Sequence, residues 1–215
     1  MACSNLTGHP GSGKIRTGHR GQRVSRTASQ GVVTRRNLLF GIAALAATGT
    51  AAPAFASAPA VLRGAGSFRS IKLANGRTGD WLNTVYWVEG QYIPEVMDNI
   101  NYVLRDWRAE EVKKIDPRTI DILSATHRLL DCREPFEVIS GYRTRQTNAM
   151  LRERSRAVAS NSYHIKGMAV DIALKSRSVR QISRAGMSLG AGGVGKYSRS
   201  DFVHLDSGPV RSWGR

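Results

Sequence analysis

The chain has 215 residues, 41% of them hydrophobic, with 32 Lys and Arg against 16 Asp and Glu for a net charge of +16. That is enough apolar material to bury a core, and the length suits one domain with an appendage. The two cysteines are Cys3 and Cys132, and the first lies in the leader described next, so an internal disulfide framework is excluded.

Residues 1–60 hold no Asp or Glu but seven basic residues, and then run apolar from Leu38 to Ala47. A charged stretch followed by about ten apolar residues reads as a signal peptide, too short to span a bilayer as a helix. Thr34-Arg35-Arg36-Asn37-Leu38-Leu39 resembles the twin-arginine export signal. Small residues place cleavage after Ala56 or Ala58, so residues 1–58 are expected to be a leader, 59–69 a linker, and 70–215 the folded domain. The expected product is periplasmic or secreted, exported by the twin-arginine machinery, with no stable membrane anchor once the signal is removed. Without the leader, 25 basic residues face 16 acidic ones, about +9, which favours a polyanionic partner. Outside the cytoplasm a wall polymer is a better match than nucleic acid.

In chain order, Phe68–Leu73 and Thr84–Val88 read as strands around an Asn75-Gly76 turn, and Glu89-Gly90 as a second turn. From Pro94 the apolar spacing turns helical through Val96, Ile100, Val103, Leu104 and Trp107. A second helix is predicted from Asp116, a cap, to Cys132, with His127 on its apolar face as a packing residue. Residues 135–139 form a short strand that breaks at Ser140-Gly141-Tyr142-Arg143-Thr144, and residues 148–156 form a polar helix or loop. Further on come a strand over Met168–Leu174, a helix over Ser178–Met187, a glycine-rich turn over Gly190–Gly195 and a strand over Phe202–Asp206. The fold class is α+β, a small antiparallel sheet with helices packed on one face.

Within this frame, His164 precedes a strand that contains Asp171, and Gly167 between them permits a sharp bend. Alternation puts His204 and Asp206 on one face of the last strand. Two imidazoles and one carboxylate suit zinc with an open position, the mark of a catalytic rather than a structural site. Ser162 is read as a loop cap or a hydrogen-bonding partner for this site. Trp81, Trp87, Trp107 and Trp213 are read as core or rim aromatics.

Ser162-x-His164-x-x-Gly167-x-Ala169-x-Asp171 matches the signature of the zinc D-alanyl-D-alanine peptidases, and Ser140-Gly141-Tyr142-Arg143 resembles their arginine motif. Gly193-Val194-Gly195 and Phe202–Gly208 resemble the YcbK (MepK)-like branch, which acts on peptidoglycan, as do Val85–Trp87 and Leu104–Arg108. The resemblance spans about residues 70–213. It implies a Hedgehog/D-Ala-D-Ala peptidase-like fold with a single zinc site of His164, Asp171 and His204. It also implies that Arg143, with Tyr142 and Ser162 beside the site, serves substrate binding, Arg143 also meeting the developing oxyanion. Where many relatives carry a glutamate base, this chain has Asp201, whose strand parity is opposite to that of His204. Asp206 has the right parity, so both stand as the catalytic carboxylate.

The expected activity is hydrolysis of murein peptide crosslinks. The alternatives are a D-Ala carboxypeptidase of the same superfamily and an inactive zinc-bearing wall-binding module. An iron oxygenase built on His204-x-Asp206 would need a further histidine downstream, and residues 207–215 contain none.

Overall fold

A computed structural model describes residues 66–214. The expected leader and residues 59–65 of the expected linker lie outside the described residues.

Strand β1 (Phe68–Asn75) pairs antiparallel with β2 (Asp80–Val88). Asn75 closes the turn between them. Its side-chain carbonyl accepts from the Arg77 N–H at 3.1 Å and its backbone carbonyl from Gly79 at 2.8 Å, the local bonding that favours Asn in turns. Arg69, Ile71, Leu73 and Asn75 form the buried set of β1, with the period of two expected of a strand. At the second turn Glu89 and Gly90 both take positive φ, 47° and 95°, the twist that suits a two-residue hairpin. It leads into the short strand β3 (Gln91–Tyr92).

Helix α1 (Pro94–Val103) starts on its proline, as predicted. In α2 (Pro117–Leu129) the Asp116 carboxylate accepts from the Arg118 N–H at 3.0 Å and caps the helix. His127 is a packing residue: its Nε2 meets the Glu134 carbonyl at 2.7 Å and its ring stands edge-on to Phe136. Strand β4 (Phe136–Ser140) follows, then α3 (Arg145–Arg154), β5 (Ala169–Ala173) and α4 (Val179–Ser188). The chain then forms β6 (Gly193–Tyr197), β7 (Phe202–Asp206) and β8 (Arg211–Gly214). Among the described residues no helix is long and apolar enough to cross a membrane.

The eight strands among the described residues make one sheet in the order β3-β2-β1-β4-β5-β7-β6-β8. This corrects the expectation of a small, antiparallel sheet: β1–β4 and β6–β8 are parallel. Parallel neighbours need a crossover rather than a hairpin. The β1–β4 crossover runs through β2, β3 and two helices, and β8 reaches the edge of β6 opposite β7. The glycine-rich turn is corrected too, because Gly193 and Gly195 lie inside β6 and pair with Asp206 and His204 of β7.

The register of the central strands separates core from site. Val170 and Ile172 of β5 pair with Leu205 and Val203 of β7, and all four are buried. Leu205 lies against Gly186 of α4, and each such side chain contributes about 1.5–3 kcal/mol by burial. Asp171 pairs with His204, and Ala169 with Asp206, on the opposite face. A slip of one residue would exchange the two sets, so the hydrophobic core itself fixes where the polar residues point. Helix α3 borders the site instead of the core, with Leu151 on the wall of its cavity.

Candidate metal centre

His164 is delivered by a single 3-10 turn over Tyr163–Lys166. The Ser162 hydroxyl accepts from the His164 N–H at 3.3 Å and caps the turn. Gly167 ends it in the left-handed region at φ 70°, where a Cβ would sit 2.7 Å from the Lys114 carbonyl oxygen, so glycine is required twice over. The ring is locked from behind, 2.7 Å from Nδ1 to the Gly141 carbonyl. A carbonyl can only accept, so Nδ1 carries the proton and Nε2 presents a lone pair.

Asp171 is set by an irregularity in its neighbour. The β4–β5 register shifts between Val138 and Ser140, which places Ser140 opposite Asp171; bulges of this kind re-aim side chains beside sites. The Arg143 guanidinium donates from Nε to the Ser140 hydroxyl at 2.7 Å and from Nη2 to Asp171 Oδ2. Oδ1 is left to the histidines.

His204 is held from behind by Asp206, whose Oδ2 accepts from Nε2 at 2.8 Å. Asp206 is fully buried and also accepts from both terminal nitrogens of Arg211 and from the backbone N–H groups of Gly193 and Gly208. A Cβ on Gly193 would collide with this carboxylate and with Arg211, and one on Gly195 would come 2.6 Å from the Trp213 ring. The glycines of β6 thus make room for what crosses them from β8.

His164 Nε2, Asp171 Oδ1 and His204 Nδ1 converge. The oxygen lies 3.2 Å from the first nitrogen and 2.9 Å from the second, and the nitrogens are 3.1 Å apart. Burial, only partly offset by Asp171, pushes the His164 pKa down to about 4, so the ring stays neutral. Burial alone would raise Asp171, but its contacts with the His164 ring and the Arg143 guanidinium hold it well below the usual carboxylate range. Burial would lower His204, yet its hydrogen bonds to Asp171 and Asp206 win and raise its pKa. Asp206 is held far down by His204 and Arg211 against its own burial. The three converging atoms, each fixed by a partner behind it, fit a cation with nitrogen and oxygen ligands that displaces the inward proton of His204, and the donor set suits zinc.

The centre opens into a cavity of about 400 Å³ lined by His164, Asp171, His204, Ser162 and Arg143, with Arg77, Arg108, Arg211, Tyr163 and Trp213 around them. Other predicted residues are not brought to it. Asp201 sits exposed in the β6–β7 turn at φ 52° and does not itself line the cavity, although its neighbours Ser200 and Phe202 do. Asp206 has the predicted parity but stands behind His204, with its oxygens fully engaged. Tyr142 is buried elsewhere: its hydroxyl donates to Glu111 at 2.8 Å, and burial followed by that contact pushes its pKa up to about 12. Arg143 pairs with Asp171 and not with the surface glutamates at 137 or 153. Sequence reading missed Arg211 and the placement of Trp213 beside His204, at 5.3 Å between ring centroids. The available signal for Arg211 was a buried-type Asp206 followed, across a Ser-Gly-Pro turn, by a lone basic residue.

Three known proteins frame this geometry. Over 179 residues the chain is 41% identical to the peptidoglycan L,D-endopeptidase MepK of Escherichia coli strain K12, covering 83% of this chain and 96% of the relative. The Shigella flexneri protein of the same name matches to the same extent. A probable peptidoglycan L,D-endopeptidase MepK of Haemophilus influenzae is 38% identical over 146 residues, 67% of this chain and 78% of that one. The family model Peptidase_M15_2, described as peptidoglycan L,D-endopeptidase MepK, matches residues 63–213, and the chain belongs to that family.

Proposed function

We propose that the protein is an exported, zinc-dependent peptidase that cuts peptide crosslinks in peptidoglycan, with the L,D-endopeptidase activity for which its relatives are named. The observation that carries this reading is the convergence of His164 Nε2, Asp171 Oδ1 and His204 Nδ1 on the floor of an open, arginine-lined cavity. These three atoms would hold the zinc, which when bound polarises a carbonyl and acidifies water. Gly141 and Asp206 keep the two rings in the tautomers that ligation needs. Arg143 holds Asp171 through Nη2, while its Nη1 makes no hydrogen bond among the described residues and is available to a substrate oxygen as charge develops there. Asp206 is a positioning residue in this scheme.

A second reading is a zinc-bearing wall-binding module. It is favoured by one feature: among the described residues Asp171 is the only carboxylate on the cavity wall, so neither Asp201 nor Asp206 touches the space where water would react. The two readings separate on turnover. Mass spectrometry of soluble fragments after incubation with purified peptidoglycan should show crosslinked dimers converted to monomers, and a zinc chelator should stop it. A folded, zinc-loaded protein that releases no fragments would establish the binding module instead. Export through the twin-arginine machinery to the periplasm or beyond rests on Arg35-Arg36 and the short apolar run after them. Converting both arginines to lysine should leave the protein in the cytoplasm; unchanged export would overturn this route.

A further inference from the structure

Among the described residues four arginines line the cavity, and they fall into two kinds. Arg143 and Arg211 are committed to Asp171 and Asp206. Arg77 and Arg108 are not: among the described residues neither guanidinium makes an ion pair or a side-chain hydrogen bond, and only their backbone N–H groups are engaged, by Asn75 and Asp106. They come from distant segments, the β1–β2 turn and the stretch after α1. Both nevertheless lie over the ring of Trp107, at 5.4 and 4.2 Å from its centroid. Stacking on an aromatic face orients a guanidinium without consuming its N–H donors. Arg105, two residues before Trp107, is the contrast, because Asp80 and Glu110 neutralise it.

Among the described residues neither guanidinium has an ion-pair partner on the cavity wall. Burial, with the charges of Arg77, Arg143 and Arg154 adding to it and Asp106 opposing, lowers the pKa of Arg108. Asp171, the only carboxylate on the wall among the described residues, is already held by Arg143. The strand order puts the pair at one end of a cleft. Arg77 follows β1, which neighbours β4, whereas Trp213 and Arg211 lie on β8, beyond β7 and β6. The ligand strands β5 and β7 run between the two ends.

We propose that Arg77 and Arg108, braced on Trp107, form a second carboxylate-binding subsite that selects an acidic arm of the crosslinked stem peptide. The inference rests on the peptidoglycan reading and adds to it a determinant of substrate choice. An arginine fork matches a carboxylate in a bidentate way, and two forks braced on one ring offer an anion more donors than the single nitrogen, Nη1, that Arg143 has left. Docking there fixes one arm of the crosslink while the bond to be cut lies over the ligand strands.

The test uses the full chain and two soluble crosslinked muropeptide dimers, one with free carboxylates and one with those carboxylates amidated. Binding is read by calorimetry with a chelator present, so that nothing is cut, and cleavage is read separately on the zinc-loaded protein. The wild type should bind the acidic dimer about tenfold more tightly than the amide, as two partly screened charge pairs allow, and added salt should narrow the gap. The double variant Arg77→Gln/Arg108→Gln should lose the preference, with KM for the acid up about tenfold and kcat within about twofold. Arg184→Gln, an exposed arginine away from the cavity, should retain it. Both cavity arginines are exposed, and an unchanged melting curve checks that the double variant is folded. A double variant that keeps the preference, or a wild type that shows none, overturns the subsite. Arginine-dependent binding without any cleavage would fell the peptidase reading and leave the subsite standing.

Discussion

Replacing Asp206 by Asn removes one charge from the least accessible atom set of the centre while keeping its shape. Asp206 accepts five hydrogen bonds, from His204, twice from Arg211, and from the Gly193 and Gly208 N–H groups. All five partners are donors, so an amide cannot satisfy both sides. If its oxygen keeps the two glycines, its NH2 group faces His204 Nε2, and that nitrogen gains a good contact only by giving up its proton. The proton then sits on Nδ1, the atom needed for ligation. Loss of such an outer hydrogen bond typically costs 10- to 100-fold in metal affinity, about 1.4–2.7 kcal/mol. Without metal, the Arg211 charge loses its partner. A broken buried pair costs about 3–5 kcal/mol, and about 3 is expected here because the Arg211 side chain is 37% exposed. Urea unfolding of the chelated protein measures the second figure, and a zinc titration against a competing chelator measures the first. An Asp206→Asn protein that binds zinc like the wild type but has lost cleavage would refute this reasoning and return Asp206 to the role of proton acceptor.

Three further outcomes follow from the same geometry. Asp201→Asn keeps a residue tolerant of left-handed φ on an exposed turn, so stability should move by less than about 0.5 kcal/mol and fragment release should be unchanged; abolished release would put Asp201 at the reacting centre. Gly193→Ala drives a methyl group into Asp206 and Arg211, and overpacking of about 1–3 kcal/mol should lower both the melting temperature and zinc affinity; a melt equal to wild type would contradict the packing of β8 over β6. His127 has its folded pKa lowered by burial, so the unfolded chain takes up the proton first and stability falls as pH drops below about 6.5. The pH dependence of urea midpoints, compared between wild type and His127→Gln from about pH 7.5 to about pH 5, should be shallower in the variant; parallel curves would remove His127 as the cause.

The parts of the fold legible in the sequence are those with short-range causes. Asp116-Pro117 writes the start of α2, Asn75 and Glu89-Gly90 write two turns, and Phe202–Asp206 shows its alternation openly. His164 and Asp171 are separated by only one bend, so their meeting needs little beyond Gly167. The parallel pairings were hidden because nothing in β1 or β4 alone states that they lie side by side. β3 and β8 are too short to show a period. Gly193 and Gly195 pointed to a turn by composition, whereas their real cause is lateral: they vacate space for Asp206, Arg211 and Trp213 from neighbouring strands. The same long-range register explains why parity alone could promote Asp206 to a catalytic position. Parity says which face a side chain takes, not which side of its neighbour it occupies.

Arg211 on β8 also has a consequence for the order in which the molecule is completed. A chain emerging from the ribosome presents His164 and Asp171 first, then β7, and only later the strand that secures Asp206. The seven residues from His204 to Arg211, the difference of their numbers, take roughly 0.4–1.4 s to synthesise. During that interval His204 lacks its fixed orientation, and a metal ion meets a site whose rear support is unfinished. If the centre takes zinc as proposed, tight capture waits until the edge strand has docked, and metal uptake is then a late event that reports a nearly finished domain.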